Sequence, residues 1–254
     1  MSWTYPPPAS APIDKIANGK ECSPASDCMH CSVRHLAVCS ALSAEEVHAL
    51  ESVTTSYSVE NGATIARAGE DRLHVYTLTA GALRLVRTLA DGRRLVSGFV
   101  LPGDYIGLSG SDTYRYDVEA IADSRICRVG VAQMRELRMR YAHLERKLLQ
   151  RACQELDTAQ DSAMALARMQ PPEKLADFIL RLAERQARHH ASGERVALPM
   201  GRGDIADHLG LTMETVSRTF TKLRQSNLIA LPHLNVVDIL DRAGLESLAN
   251  DGLD

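Results

Sequence analysis

Apolar and polar positions change rhythm along the chain, and each rhythm predicts a different kind of element. Between about 55 and 130, short runs rich in Val, Ile, Leu and Tyr are cut by Gly62, Gly69, Gly81, Gly92, Gly98, Gly103, Gly107, Gly110 and Gly130. The stretch "HVYTLTAGALRLVRTLADGRRLVSGFV" predicts strands joined by tight turns, with Asp91-Gly92 as the clearest hairpin signal. Many short strands at even spacing predict a closed or rolled antiparallel sheet. Just before them, Ser43 predicts the N-cap of a short helix over "SAEEVHALESV", with Glu46 three residues on. Beyond Gly130 the period becomes helical, and one helix is expected over 131–168. Pro171 and Pro172 break it, and a second domain over 169–254 opens with a helix burying Leu175, Phe178, Ile179 and Leu182. The segment 21–130 carries the strands, and "PPPASAP" marks residues 1–20 as an extended, flexible tail. The fold class expected is α+β.

The long helix places Leu137, Tyr141, Leu144, Leu148, Ala152, Leu156, Ala159, Ala163 and Leu166 at steps of three or four. Such a narrow seam suits a partner helix, which implies a homodimer. The alternative is an amphipathic helix lying on its own β-domain, and the length of the helix favours the seam. Ala152, Ala159 and Ala163 would let a partner backbone approach closely, while Asp157 and Asp161 would face their own copies across a two-fold axis. A dimer of that kind would be marginally stable.

"GRGDIADHLGLTMETVSRTFTKLRQSNLIAL" (201–231) reads as two short helices around a glycine turn. Ile205, Ala206 and Leu209 form the apolar face of the first, Gly210 turns the chain, and Thr212 caps the second, which buries Val216, Phe220 and Leu223. This is the DNA-binding helix-turn-helix pattern, and "NLIAL" with "NVVDIL" suits the two strands of a wing. Glu214, Ser217 and Arg218 share the opposite face at i, i+3 and i+4. Arg pairs with guanine, Glu accepts from the cytosine amino group and Ser adapts to either, so these are the candidate base contacts. A surface Glu–Arg pair is the plain alternative, but position directly after the turn favours base reading. Arg202, Thr212 and Thr215 are candidate phosphate contacts.

Composition narrows the classes. The net charge of −3 gives no global attraction to nucleic acid or membrane, so any DNA contact must come from a local patch. "MSWTYPPPASAPIDK" lacks the basic and apolar regions of a secretion signal, and no apolar run is long enough to span a bilayer. A cytoplasmic protein with no membrane partner is expected. That bears on the segment "ECSPASDCMHCSVRHLAVCSAL", which holds Cys22, Cys28, Cys31 and Cys39. In a reducing compartment clustered thiols are metal ligands or redox groups more often than disulfides. A thioredoxin-like pair wants a βαβ setting, and Cys28–Cys31 precedes an all-β region instead. Spacing alone leaves zinc and an iron–sulfur cluster on equal terms.

Together these residues resemble the FNR branch of the cyclic-AMP receptor protein superfamily, which includes FnrN-, FnrL- and FixK-like members. The resemblance covers about 20 to 240: cysteine segment, cyclic-nucleotide-binding-like β-roll, long dimer helix and winged helix-turn-helix. "GLTMETVSR" is similar to the E-x-x-S-R recognition motif, matched by Glu214, Ser217 and Arg218, and implies inverted repeats of the TTGAT type in double-stranded DNA. "PGDYIGLSGSDTYRYDVEAIADSRICRV" lacks the Gly-Glu-Leu and Arg-Ser elements of cyclic-nucleotide binders, which implies no cyclic-nucleotide effector. Cys28-x2-Cys31-x7-Cys39 resembles the ligand spacing of FnrN/FnrL-like members, and Cys127 matches their distant fourth ligand, so one [4Fe–4S] cluster per subunit is implied. Cys22 and Cys153 fall outside the pattern and are expected to be ordinary buried cysteines. The resemblance implies a non-enzymatic, oxygen-responsive regulator. Its cluster would promote dimerisation and DNA binding at low oxygen, and the hairpin 88–94 is a candidate contact with RNA polymerase. The rivals are a same-fold regulator using zinc or thiol oxidation, and a redox protein built on the Cys28–Cys31 pair.

Overall fold

The structure, a computed structural model, describes residues 20–21, 28–188 and 193–250. The expected tail up to residue 19, Cys22 and part of the polar loop "RHHASGER" lie outside them. Two compact units divide the chain, one of residues 1–87 and 98–148 and the other of 88–97 and 149–254. Among the described residues no helix is long and apolar enough to cross a membrane.

The first unit begins with β1 (Lys20–Glu21) and α1 (Ala44–Glu51), then β2 (Thr54–Val59), β3 (Thr64–Ala66), β4 (His74–Ala80) and β5 (Leu83–Thr88). β6 (Arg94–Val100), whose residues 94–97 are counted with the other unit, β7 (Tyr105–Ile106), β8 (Asp117–Ala120), β9 (Ser124–Gly130) and α2 (Val131–Arg140) follow. The strands form two sheets, ordered β1-β2-β9-β4-β7 and β3-β8-β5-β6. Their facing sides bury Tyr57, Tyr76, Leu78, Ile65, Leu83, Val118 and Ile126. The expected roll is present, and Gly92 takes φ 84° in its predicted hairpin turn. Alternation along each strand sends the next residue to the other face. Ile126 is therefore wholly buried inside the roll, while its neighbour Cys127 faces outward toward a second apolar cluster. In that cluster Val75, Tyr105 and Val129 of the sheet meet Val47 and Leu50 of α1 and Met134 and Leu137 of α2. Ser43 caps α1 as expected, and Glu46 closes the capping box.

The single long helix is corrected to two. α2 ends at Tyr141, whose backbone leaves the helical region (φ −121°, ψ 93°), and α3 (Ala142–Arg168) starts afresh. The physical reason is burial. Leu137 before the break and Leu144 and Leu148 after it all enter the same cluster, with Tyr141 packed against it. Arg138 and Glu145 form an ion pair that bridges the break.

In the second unit, α4 (Pro171–Ala187) buries Leu175, Phe178, Ile179 and Leu182 as expected. β10 (Arg195–Ala197), α5 (Arg202–Leu209), α6 (Met213–Gln225), β11 (Ile229–His233), β12 (Val236–Ile239) and α7 (Arg242–Asn250) complete it. The wing has three strands, β10-β12-β11, one more than the two expected. Lys174 is the unusual core member. It is buried, and its Nζ donates to Leu166 O (3.1 Å) and Leu209 O (3.5 Å) at the ends of α3 and α5. Terminal carbonyls carry partial negative charge, so a cation there satisfies groups that no helix can satisfy itself. Lys174→Met should destabilise this unit by about 2 kcal/mol. Urea unfolding followed by circular dichroism would read the change, and an unaltered midpoint would refute the role.

Candidate metal centre and nucleic-acid interface

Residues 28–42 form successive tight turns, with Arg34 N bonded to Cys31 O, Ala37 N to Val33 O and Ser40 N to Ala37 O. Val33, Ala37, Val38 and Leu42 anchor the segment by burial, and Arg34 Nη2 donates to Leu42 O at 2.8 Å. Cys28 N donates to Glu51 Oε1 on α1 at 3.1 Å. Gly103 supplies the seat. It sits at φ 89°, and a Cβ there would lie 2.7 Å from Leu36 Cβ, so only glycine lets the segment approach this closely.

This seating brings Cys28, Cys31, Cys39 and Cys127 to the wall of one cavity of about 330 Å³. The other lining includes apolar Val75, Tyr105, Val129 and Met134, with Ser56 and Thr77 beside Cys127. Among the described residues the cysteines form no disulfide. A single tetrahedral ion would need its sulfurs about 3.8 Å apart, since a metal–sulfur bond is about 2.3 Å. Among the described residues no group of three or more His, Cys, Asp or Glu is arranged to hold a single metal ion. Burial, and then the neighbouring Cys31, Cys28 and Cys127, push the Cys39 thiol up to about 12. Burial also raises Cys127 to about 11, against the hydrogen bond from Ser56. Four thiolates in this cavity would repel one another in a low dielectric, and a bound cationic core would turn that repulsion into attraction. The donor set and the space thus fit a polynuclear iron–sulfur group ligated by these four residues.

The helix-turn-helix has the expected anatomy. Gly210 turns at φ 65°, and Thr212 caps α6 by accepting from Thr215 N at 3.1 Å. Glu214, Ser217 and Arg218 lie exposed on one face, where Arg218 Nη2 meets Glu214 Oε1 at 2.5 Å and Ser217 Oγ donates to Met213 O. Thr212 and Thr215 join through their hydroxyls at 2.8 Å. Arg202, an expected phosphate contact, is half-buried at the start of α5. Its guanidinium lies 3.2 Å from the Phe220 ring centroid, and Nη1 is buried without a hydrogen-bond partner among the described residues. Burial there pulls its pKa down to about 10. Stacking of this kind engages the cation with a core ring.

The seam divides into two halves. Leu137, Leu144 and Leu148 are buried, and Tyr141 half-buried, within the chain's own first unit, so the alternative of a helix resting on its own β-domain holds for that half. Leu149 (62% exposed), Leu156 (58%), Ala159, Ala163, Met164 and Leu166 lie on the exposed remainder of α3, with Ala152 half-buried. Cys153 is exposed rather than buried. Asp161 is paired with Arg181 Nη1 at 3.1 Å, which offsets the repulsion expected between copies. Sequence reading missed Glu51, Ser56 and Gly103, because only tertiary contacts and strand register bring them to the thiols.

A β-roll, a long helix and a winged helix-turn-helix define a DNA-binding regulator. Residues 173–248 match the Crp-like helix-turn-helix domain, and residues 57–141 match the cyclic nucleotide-binding domain. The chain is 37% identical to nitrogen fixation regulation protein FixK of Bradyrhizobium diazoefficiens over 222 residues, 87% of this chain and 93% of that protein. It is 34% identical to transcriptional activator protein FnrL of Cereibacter sphaeroides over 231 residues, 89% of this chain and 93% of that protein. The solved structure of FixK2 from Bradyrhizobium japonicum is similar with a TM-score of 0.72 at 33% identity, over 77% of this chain and 97% of that one. The chain belongs to the FNR/FixK branch of the Crp/Fnr family of transcription regulators. The matched relatives are regulators, not enzymes.

Proposed function

We propose that the protein is an oxygen-responsive transcription activator in which Cys28, Cys31, Cys39 and Cys127 hold one [4Fe–4S] cluster. The observation that carries this reading is the convergence of these four thiols, one of them about ninety residues from the rest, on a single cavity. When bound, the cluster would tie the segment to the sheet through these four thiolates and would supply the oxygen-sensitive chemistry. The chain's own residues do the rest. Glu51 and Arg34 hold the segment in register, Gly103 lets it seat, and Val75, Tyr105 and Met134 limit access of water to the sulfurs. Cys28, Val38 and Leu42 share their apolar cluster with Leu144 and Leu148 at the base of α3. His143 Nε2, one residue before Leu144, lies 2.8 Å from Glu46 Oε2. A seated segment therefore steadies the start of α3, and the exposed strip from Leu149 onward pairs with a second copy. A segment released from the sulfurs withdraws that support, and the dimer weakens.

Two modules held at a fixed separation would bind an inverted repeat far more tightly than one, which makes dimerisation the control point. Glu214, Ser217 and Arg218 would read TTGAT-type half-sites, and the free-state pair of Arg218 with Glu214 would open on DNA. Thr212 and Thr215 remain phosphate contacts in this reading, and RNA polymerase is the further partner. The proposal includes no cyclic-nucleotide effector, a reading that rests on the missing Gly-Glu-Leu and Arg-Ser elements. The same-fold alternative without a cluster draws on the likeness to FixK.

Protein purified without oxygen should show a broad visible absorption that bleaches in air, with about four irons and four sulfides per chain. Colourless protein with one zinc per chain would overturn the cluster. Arg218→Ala should weaken binding to a TTGAT inverted repeat about ten- to hundredfold in a gel shift. Binding equal to wild type would remove Arg218 from the base-reading set.

A further inference from the structure

Cys127 is placed unlike the other three thiols. It sits on β9, between β2 and β4, and the antiparallel register sets Ser56 of β2 and Thr77 of β4 directly beside it. Directly paired residues project from the same face of a sheet, and both hydroxyl-bearing side chains line the cavity together with the sulfur. Ser56 reaches it, with Oγ 3.8 Å from Cys127 Sγ. A thiolate ligand carries no proton, so in that state this bond can run only from the hydroxyl to the sulfur. Donors to ligand sulfurs draw off electron density and raise a cluster's reduction potential. The donor is also rigidly mounted, because β2 pairs with β9 throughout Thr54–Val59. It stays beside the sulfur whatever the 28–42 segment does.

We propose that Ser56 is a positioning residue for the fourth ligand: its hydroxyl donates to Cys127 Sγ, keeps that side chain turned into the cavity and sets the potential of the bound group upward. This assignment rests on the cluster reading above. It adds a residue that no ligand spacing predicts, since Ser56 lies 71 positions away in the chain.

The test compares Ser56→Thr, which keeps the hydroxyl, with Ser56→Val, which has nearly the same shape without it. Both are β-branched and suited to a strand, and circular dichroism checks the fold. Each protein is reconstituted anaerobically with iron and sulfide, assayed for both, and titrated by spectroelectrochemistry. The Thr variant should match wild type, and the Val variant should titrate at a lower potential. Loss of cluster from Val alone, with Thr fully loaded, would equally support the positioning role. Equal potentials in loaded Val and loaded Thr overturn the assignment of Ser56 and leave the cluster reading intact. If wild type itself takes up no iron and sulfide, the cluster reading falls, and the assignment falls with it.

Discussion

The structure depends on one packing event: residues 28–42 lie against the outer face of a five-stranded sheet. The same apolar cluster takes in Cys28, Val38 and Leu42 from the segment, Val75 and Val129 from the sheet, and Leu144 and Leu148 from α3. If the segment left, the part of the cluster it covers would meet water, while α1 and α2 would still cover the rest. Burying one such aliphatic side chain is worth about 1.5–3 kcal/mol, so the segment contributes a sizeable part of a marginal stability. The proposed sensor would benefit from that arrangement. Whatever holds the segment also holds the base of the helix that continues into the exposed strip.

Electrostatics opposes this packing, and the opposition is informative. The seating of the segment draws thiols together and dries them, so Cys39 and Cys127 resist ionisation. Both shifts raise the thiol pKa, so each folded thiol stays protonated to higher pH than in the unfolded chain. Below its ordinary value each thiol is neutral in both states, and stability is lost as pH rises above that value. A cationic iron–sulfur core inverts the balance by needing thiolates, which is why ligand binding and segment seating are coupled in the proposal.

Much of this was legible in the chain, for identifiable reasons. The Asp91-Gly92 hairpin, the Ser43–Glu46 capping box and the Gly210 turn are local events, fixed by a few neighbouring residues. The apolar faces of α4, α5 and α6 followed from helical period alone. What was not legible depends on tertiary partners. Helical spacing runs unbroken through Tyr141, and only the shared burial of Leu137 and Leu144 explains the break. The stacking of Arg202 on Phe220 joins two helices, and no local pattern announces it. Ser56 gains its meaning from a strand register that no spacing reveals. For the thiols, residue pattern left zinc and cluster level, and their convergence on one cavity depends on tertiary contacts that spacing does not reveal.

The central claim is that the four thiols hold a group whose presence governs association of two chains. Native mass spectrometry under anaerobic conditions tests it in one step, because the same spectrum reads bound mass and copy number. The account predicts a wild-type dimer carrying one four-iron, four-sulfide group per chain, and a Cys127→Ser protein that is bare and largely monomeric. A bare wild-type dimer, or a Cys127→Ser protein that keeps the full added mass, would contradict it.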